Sequence, residues 1–322
     1  MDVSLIIPAR DSSRELRECL AAVRASTTRP AEIVVVDDAS SDDTAAVAEA
    51  GGARVIRLPA NAGPAGARNR GAAVARGDVL AFVDADVAVA PATLARLVAA
   101  LARDPEVAAV FGSYDARPRA PGLVSQFRNL LHHFVHQHGD PDASTFWAGC
   151  GVVRRAAFDA VGGFDERPVR HFIEDIDLGY RLRRAGSRIR LERDAQCTHL
   201  KRWTLRSMAR TDLLYRAVPW TRLIAESGTA PADLNLRGDQ RTSVALVGVA
   251  LALLALAAWW RNAAAVAVVA LAAVAFLNRE FYGFLRRERG LGFAVACFPV
   301  HLVHFACGGL GFAYGRLVPR RP

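Results

Sequence analysis

Residues 80–89 read LAFVDADVAV, an apolar run interrupted by two carboxylates, Asp84 and Asp86. Side chains alternate along an extended backbone, so residues two apart project to the same side. Two like charges held that close repel each other unless a cation lies between them. The stretch therefore predicts a buried strand whose two carboxylates contribute to a metal site.

The residues before this stretch alternate between apolar runs and segments with helical spacing. We expect strands at VSLIIPA (3–9, ended by Pro8), AEIVVVDDAS (31–40) and residues 53–58, and helices at 14–24, 44–50 and 66–76. This alternation predicts an α/β fold with a mostly parallel sheet and helices on both faces. Ligands of such sheets bind beyond the carboxyl ends of the strands, where Asp37, Asp38, Asp84 and Asp86 fall.

Clustered carboxylates suit a hard divalent cation, Mg²⁺ or Mn²⁺, which completes its coordination with substrate phosphates. A diphosphate ligand is therefore expected. The chain has no GxxxxGK[ST] loop and no GxGxxG after its first strand. Neither a P-loop nor a dinucleotide-binding fold is supported.

The carboxy-terminal part of the 322-residue chain holds long apolar runs. Residues 242–260 have the length of a membrane-spanning helix and end in a tryptophan pair. Residues 263–277 and 291–314 are further candidates, so 236–322 is predicted to be a membrane domain with two or three spans. Arginines 279, 286, 287 and 289 place their loop, and with it the amino-terminal domain, on the cytoplasmic side of the cytoplasmic membrane. Three full spans would put Arg316, Arg320 and Arg321 outside, and the alternative is that the third segment does not cross completely.

The formal charge of +9 is concentrated before these spans, in residues 181–210. No helix-turn-helix, zinc-finger or RNA-binding signature accompanies it, so we expect membrane lipid or phosphate as the partner and no nucleic acid. The alternative is a solvated helix face. Residues 205–224 mix apolar and arginine side chains, which predicts an interfacial amphipathic helix within a segment spanning 204–235. We expect no cleaved signal peptide before MDVSLIIPAR, and five free thiols, because the cysteines are odd in number and scattered.

Six stretches, in order, carry a family resemblance: SLIIPAR, VVDDASSDDT, NAGPAGARNRGAAVARGD, FVDADV, GGFDE and IEDIDLGYRLRRAG. Together they resemble the family 2 glycosyltransferases with a GT-A fold over roughly the first 200 residues. The resemblance implies a glycosyltransferase domain at 1–203, with a nucleotide-binding half at 1–112 and an acceptor and catalytic half at 113–203.

The resemblance also implies donor-binding roles. Asp38, with Asp37 beside it, is similar to the acid that binds the nucleotide base, and Arg68 to the basic residue near base and diphosphate. Asp84 would reach the ribose or the metal, and Asp86 would ligate the metal. The remaining implied donor contacts are the backbone of Pro8, Ala9 and Arg10, and Gly149 in the FWAGCG loop below the sugar. The alternative for Asp37 and Asp38 is a turn or helix cap built with SSDD.

For catalysis, Glu174 and Asp175 match the family's acidic pair, with Asp175 as the base; the alternative places both acids in the first turn of a helix. His199 is similar to a histidine that completes the metal site. THLKRW resembles the QxxRW element with His199 in place of glutamine, a departure that puts processive polymerisation in doubt. Trp147, Arg202 and Trp203 would bind the acceptor, although Trp203 also suits a membrane-interface anchor.

The resemblance implies a membrane-bound, metal-dependent inverting glycosyltransferase that uses a nucleotide-diphosphate sugar, with UDP as the expected nucleotide. Its acceptor would be a lipid or glycan in the synthesis of cell-envelope glycolipid or polysaccharide. One alternative is a polyprenyl-phosphate glycosyltransferase. Two others come from different classes: a sugar-nucleotide pyrophosphorylase, whose glycine-rich amino-terminal loop is absent here, and a non-catalytic membrane scaffold.

Overall fold

A computed structural model describes residues 1–167, 172–228 and 236–318. The chain divides into two compact units. The amino-terminal unit consists of Met1–Ala120 and His136–Lys201, and the carboxy-terminal unit of Pro121–Val135 and Arg202–Pro322. Arg320 and Arg321, which bear on the predicted membrane topology, lie outside the described residues.

The amino-terminal unit is built on a mixed nine-stranded sheet in the order β3-β2-β1-β4-β8-β6-β9-β5, with β7 paired to β9. The strands are β1 Val3–Ala9, β2 Glu32–Asp37, β3 Arg54–Arg57, β4 Val79–Val83, β5 Val87–Val89, β6 Val107–Tyr114, β7 Asp142–Ala143, β8 Cys150–Arg154 and β9 Arg188–His199. Strands β1 to β4 are mutually parallel, and β8 enters antiparallel between β4 and β6. The predicted α/β class is confirmed.

Helices connect these strands in the predicted alternation. They are α1 Ser13–Arg24, α2 Thr44–Ala50, α3 Gly63–Val74, α4 Thr93–Arg103, α5 Leu123–Gln137, α6 Arg155–Ala160 and α7 Glu174–Arg184. In α1 the apolar side chains at Leu16, Cys19, Leu20 and Val23 recur at helical spacing. All four are buried in the core with β1 and β4, which is why this segment forms a helix on the sheet.

The first strand covers the predicted residues Val3–Ala9, but Pro8 does not end it. Proline lacks the amide donor that a strand ladder needs and is tolerated only where a neighbouring strand does not require it. Pairing between β1 and β4 has already ended at Ile6, whereas pairing with β2 continues to Ala9 opposite Asp37. Pro8 therefore lies on a stretch of β1 with one neighbour.

The prediction that LAFVDADVAV forms one strand was wrong. Strand β4 ends at Val83, residues 84–86 form a turn closed by a 3.0 Å hydrogen bond from the Val87 amide to the Asp84 carbonyl, and β5 pairs with β9 instead. The strict alternation of side chains consequently does not apply to Asp84 and Asp86. The turn, rather than an extended backbone, presents both carboxylates.

The described part of the carboxy-terminal unit is helical. After Leu123–Val135 of α5, its elements are α8 Leu205–Arg210, a π-helical segment Thr211–Ala217, α9 Val218–Ser227, α10 Gly238–Leu256, α11 Asn262–Leu277, α12 Arg279–Arg289 and α13 Leu291–Leu317. The helix expected at 205–224 is present as three consecutive pieces. Residues 229–235 of the predicted interfacial segment lie outside the described residues.

Two of these helices, α10 and α13, are long and apolar enough to cross a membrane, with mean hydropathies of 1.4 and 1.7. Helices α11 and α12 meet at a 67° bend and would supply a third span if they act as one. Helix α10 begins and ends four residues before the predicted limits, so Trp259 and Trp260 follow it as exposed residues. At 27 residues, α13 is long enough for a full crossing despite Pro299.

Candidate active site

The carboxyl ends of β1, β2 and β4 lie at one edge of the sheet because these strands are parallel neighbours. Strand β2 ends at Asp37, and β4 ends immediately before Asp84. The described geometry thus brings two of the predicted acidic stretches to the same edge.

Asp38 accepts hydrogen bonds from the amides of Ala62 and Gly63 at the start of α3, at 2.6 and 3.0 Å. Asp37 accepts one from the Ser40 amide at 3.1 Å. Both carboxylates are buried. The turn and cap roles considered from the sequence are therefore realised, although for Asp38 the cap belongs to α3 rather than to the SSDD segment. Base binding by these residues stays a prediction.

Pro8, Ala9 and Arg10 run alongside this pair. The Ala9 carbonyl accepts the Asp38 amide at 2.8 Å, which ties the end of β1 to the end of β2. Arg10 is exposed, and its Nε lies 3.7 Å from a carboxylate oxygen of Asp11. Asp11 and Ala39 both have positive φ, at 45° and 56°. Two such residues just beyond adjacent strand ends indicate sharply turned loops at this edge of the sheet.

Arg68, on α3, joins two of the predicted site carboxylates. Its Nη1 lies 2.6 Å from Glu174 Oε1 and its Nη2 lies 2.6 Å from Asp84 Oδ1. The guanidinium is 5% exposed and lies over the ring of Phe164. Burial alone would lower the pKa of Arg68, but Asp84 and Glu174 raise it above its ordinary value. Arg68 is a charged bridge between carboxylates, so its predicted contact with the diphosphate stays untested.

The two members of the acidic pair differ in burial and in their partners. Glu174 is 5% exposed at its side chain and is held by Arg68, whereas Asp175 is half-buried. Asp175 begins α7 with Glu174, as the helical alternative expected, and accepts the Ala148 amide at 3.3 Å. A general base must reach its substrate. The geometry therefore favours Asp175 over Glu174 for that role.

Asp86 lies beside His199, with 3.5 Å between Oδ2 and Nε2. The imidazole stacks on the ring of Tyr114, at 4.7 Å between centroids and 21° between planes. Burial would raise the pKa of Asp86, but the interaction with His199 outweighs it and lowers that pKa. The pairing of β5 with β9 explains this contact, because it sets Val87 opposite His199.

A metal ion held here would have a carboxylate oxygen of Asp86 and an imidazole nitrogen of His199 as donors, and the carboxylate suits Mg²⁺ or Mn²⁺. Within residues 1–167, 172–228 and 236–318, no three His, Cys, Asp or Glu side chains are grouped as a metal site. Asp84, the third predicted ligand, is bound by Arg68. The pair fits a metal whose other ligands come from the substrate, as is usual for ions that bind with phosphates.

Trp147 and Gly149 lie in the loop before β8. Trp147 packs against Tyr114, with ring centroids 4.6 Å apart, and against His136. A Cβ on Gly149 would stand 2.5 Å from the Trp147 indole nitrogen, so only glycine fits there without displacement. The Gly149 carbonyl accepts the Asp84 amide at 3.2 Å, which places this loop beside the acidic turn.

Arg202 and Trp203, predicted to bind acceptor, belong to the carboxy-terminal unit. Arg202 is exposed. The Trp203 backbone exchanges hydrogen bonds with the Ser125 hydroxyl, and the Arg128 guanidinium lies 5.6 Å from its ring centroid. Trp203 is thus anchored on α5, and its contact with an acceptor stays a prediction.

Sequence reasoning missed Tyr114 and Phe164, which pack on the His199 and Arg68 side chains. Tyr114 ends β6, and a residue at the carboxyl end of a strand is a candidate for the site in this architecture. The apolar run at 107–114 indicates a strand that ends at Tyr114, so the sequence contained this information. Phe164 lies in GGFDE, one of the stretches that carry the family resemblance, but no site role was assigned to it.

Comparison with known proteins agrees with this geometry. Residues 4–162 match the model of the family described as glycosyl transferase family 2. The chain is 31% identical over 260 residues to the pre-mycofactocin glycosyltransferase of Mycobacterium tuberculosis, covering 75% of this chain and 49% of that protein. It is 30% identical over 229 residues to the validoxylamine A glucosyltransferase of Streptomyces hygroscopicus subsp. limoneus, covering 60% of this chain and 50% of that protein. The chain spans about half the length of these two relatives.

Among solved structures, the mannosyltransferase PcManGT from Pyrobaculum calidifontis, in complex with GDP-Man and Mn²⁺, superposes with a TM-score of 0.66 at 22% identity. That match covers 92% of this chain and 86% of the other. Residues 1–349 of S. aureus TarS superpose with a TM-score of 0.53 at 18% identity, and the match covers 98% of this chain and 91% of the other. At such identities the likeness shows the fold alone. Residues 4–162 therefore form a glycosyl transferase family 2 domain, and the amino-terminal unit has the GT-A fold.

Proposed function

We propose that this protein is a membrane-associated inverting glycosyltransferase that transfers a sugar from a nucleotide-diphosphate donor to a hydroxyl of a lipid or glycan acceptor. UDP is the proposed nucleotide. The observation that carries the proposal is the bridge from Asp84 through the buried Arg68 to Glu174, with the half-buried Asp175 next in the chain. The bridge links the turn at residues 84–86 to the acidic pair at the start of α7.

The proposed division of labour follows from exposure and contacts. Asp175 removes the proton from the acceptor hydroxyl, whose oxygen attacks the anomeric carbon as the bond to the diphosphate breaks. Glu174 stays bound to Arg68 and fixes the start of α7, so that Asp175 is held in place. The Ala148 amide orients the Asp175 carboxylate. One displacement at the anomeric carbon inverts its configuration.

Asp86 and His199 are the proposed metal-holding residues. A bound Mg²⁺ or Mn²⁺ would supply positive charge to the leaving diphosphate. Tyr114 keeps the His199 ring aligned toward Asp86. The Mn²⁺ seen in the PcManGT complex belongs to that protein.

The acceptor is proposed to be membrane lipid or a glycan attached to it, in cell-envelope synthesis. Helices α10 and α13, which have the length and composition of membrane spans, support a membrane location. We propose that the amino-terminal unit faces the cytoplasm, as the arginines of α12 predict. The same helices favour a second candidate, transfer to a polyprenyl phosphate, whose ionised oxygen needs no base.

The test is sugar transfer by the purified full-length protein, with Asp175→Asn as the variant and Asp159→Asn as its control. Asp159 is an exposed carboxylate on α6 outside the site. Loss of a general base costs roughly 10²–10⁴-fold in rate, so Asp175→Asn should lose transfer but retain donor binding. Unchanged turnover on a hydroxyl acceptor would exclude Asp175 as base. If the protein transferred sugar only to a phosphate acceptor, and Asp175→Asn did not change that rate, the second candidate, transfer to a polyprenyl phosphate, would be supported.

A further inference from the structure

A group of polar side chains in the carboxy-terminal unit has no role in the site described above, apart from the contact of Arg128 with the Trp203 ring. It is formed by α5, the π-helical segment and α13, and we call it the polar ladder. Its members are Arg128, His132, Asp212, Arg216 and His304.

The first rung is a buried ion pair. Arg128 and Asp212 are 2% and 4% exposed at their side chains, with 2.6 Å between Nη2 and Oδ1 and 3.1 Å between Nη1 and Oδ2. His304 Nδ1 lies 2.7 Å from Asp212 Oδ2, and its side chain is 24% exposed. Asp212 thus fixes one edge of the His304 ring, while part of that ring reaches the surface.

The second rung lies four residues further along both segments. His132 Nε2 and Arg216 Nη1 are 3.5 Å apart, and both side chains are half-buried. Residues four apart on a helix share a face. The two rungs therefore form one stripe along the contact between α5 and the π-helical segment.

The stripe carries more positive than negative charge. Burial would raise the pKa of Asp212, but Arg128, His304 and Arg216 together hold it well below its ordinary range. Asp212 is therefore ionised and compensates Arg128. Asp212 also interacts electrostatically with Arg216, but its single negative charge is already paired with Arg128, so the two arginines leave the stripe with a net positive charge.

The π-helical segment Thr211–Ala217 contributes both Asp212 and Arg216. Such segments are rare and frequently mark functional sites. Partly exposed cationic side chains next to apolar helices are also the arrangement that binds lipid headgroup phosphates. Here α13 supplies both His304 and a candidate membrane span.

We propose that the polar ladder binds a phosphate group through Arg216, His132 and His304, with the Arg128–Asp212 pair holding the three in place. The phosphate could be carried by a membrane lipid or be free in solution, and the chemistry recognised is the same. Its residues differ from those proposed to hold the diphosphate, and the proposal does not depend on sugar transfer.

The experiment is calorimetric titration of the full-length protein, purified in phosphate-free detergent, with three probes. These are dihexanoyl phosphatidic acid, dihexanoylglycerol, which differs from it only by the missing phosphate, and inorganic phosphate. The variants are Arg216→Gln and Arg216→Lys. The control is Arg206→Gln, the same charge change at an exposed arginine of α8 outside the ladder.

We expect phosphatidic acid to bind and dihexanoylglycerol not to bind. Arg216→Gln should weaken binding about fivefold, the effect of one cationic contact, whereas Arg216→Lys and Arg206→Gln should leave it nearly unchanged. Inorganic phosphate binding with the same pattern would identify free phosphate as a ligand, and binding of the lipid alone would identify lipid as the source. Three results would overturn the proposal. Arg206→Gln could weaken phosphate binding as much as Arg216→Gln does, Arg216→Gln could fail to weaken it, or neither phosphate probe could bind.

Discussion

Replacing Arg68 by methionine tests the bridge at the centre of the proposed active site. Methionine keeps much of the side-chain volume but removes the cation that Glu174 and Asp84 share. Removing one partner of a buried ion pair costs about 3–5 kcal/mol because the other charge is left uncompensated. Glu174, 5% exposed, should bear most of that cost, whereas Asp84, 32% exposed, is partly screened by solvent.

We therefore expect the low end of that range, about 3 kcal/mol. For a domain of this size the loss corresponds to a thermal midpoint roughly 6–12 °C lower. The matched control is Arg70→Met on the same helix, because Arg70 pairs with Glu166 on the surface at 2.9 Å and both side chains are more than a third exposed. Exposed pairs contribute about 1 kcal/mol or less.

The assay is thermal unfolding of the full-length protein in detergent, followed by tryptophan fluorescence. A second substitution, Glu174→Gln, made on top of Arg68→Met, should recover part of the loss because it removes the stranded buried charge. If Arg68→Met were no more destabilising than Arg70→Met, or if the double variant were no better than the single one, the account of the bridge would be wrong.

Three other predictions follow from contacts elsewhere in the chain. Asp212→Asn should lower the thermal midpoint by a constant amount from pH 7 down to about 4. Below that pH the difference in thermal midpoint between the variant and the wild type should narrow, because cationic neighbours depress the pKa of the folded Asp212 carboxylate. Gly149→Ala should displace Trp147, shift its fluorescence and cost about 1–3 kcal/mol, since the new Cβ meets the indole. All five cysteines should resist a thiol reagent in the folded protein, because each is a buried free thiol and burial raises the pKa values of Cys19 and Cys197. All five should react once the protein is unfolded in the absence of reductant.

Each of these has a defined contrary result. A gap between Asp212→Asn and wild type that closes already between pH 7 and 5 would contradict the depressed pKa. Gly238→Ala, where a Cβ meets nothing within 4 Å, is the control for Gly149→Ala and should leave fluorescence unchanged. Fewer than five reactive thiols after unfolding without reductant would reveal a disulfide.

The strands and the acidic edge of the sheet could be predicted because they depend on local patterns. Apolar runs such as 32–37 and 79–83 bury both faces, and their order along the chain brings Asp37 and Asp84 to one edge. The family motifs covered the same residues. Helix positions followed from apolar spacing, as in α1.

Features that depend on partners distant in sequence could not be predicted. The turn at Asp84 forms because β5 pairs with β9, more than 100 residues later in the chain. Arg68 faces two carboxylates because α3 and α7 both reach the same edge of the sheet, and no spacing within NAGPAGARNRG reveals this. Likewise, residues 121–135 belong with the carboxy-terminal unit although they begin only seven residues after the end of strand β6 at Tyr114.

The most direct test of the central claim is isothermal titration of UDP into the detergent-purified full-length protein, with and without Mn²⁺, for wild type and Asp86→Asn. The account predicts binding that Mn²⁺ strengthens in wild type and that Asp86→Asn weakens, because Asp86 and His199 are the proposed metal-holding pair. Binding of UDP that neither Mn²⁺ nor the substitution changes would contradict the metal role. Absence of binding by UDP, GDP and other nucleotides would contradict the proposed glycosyltransferase activity and favour a membrane scaffold.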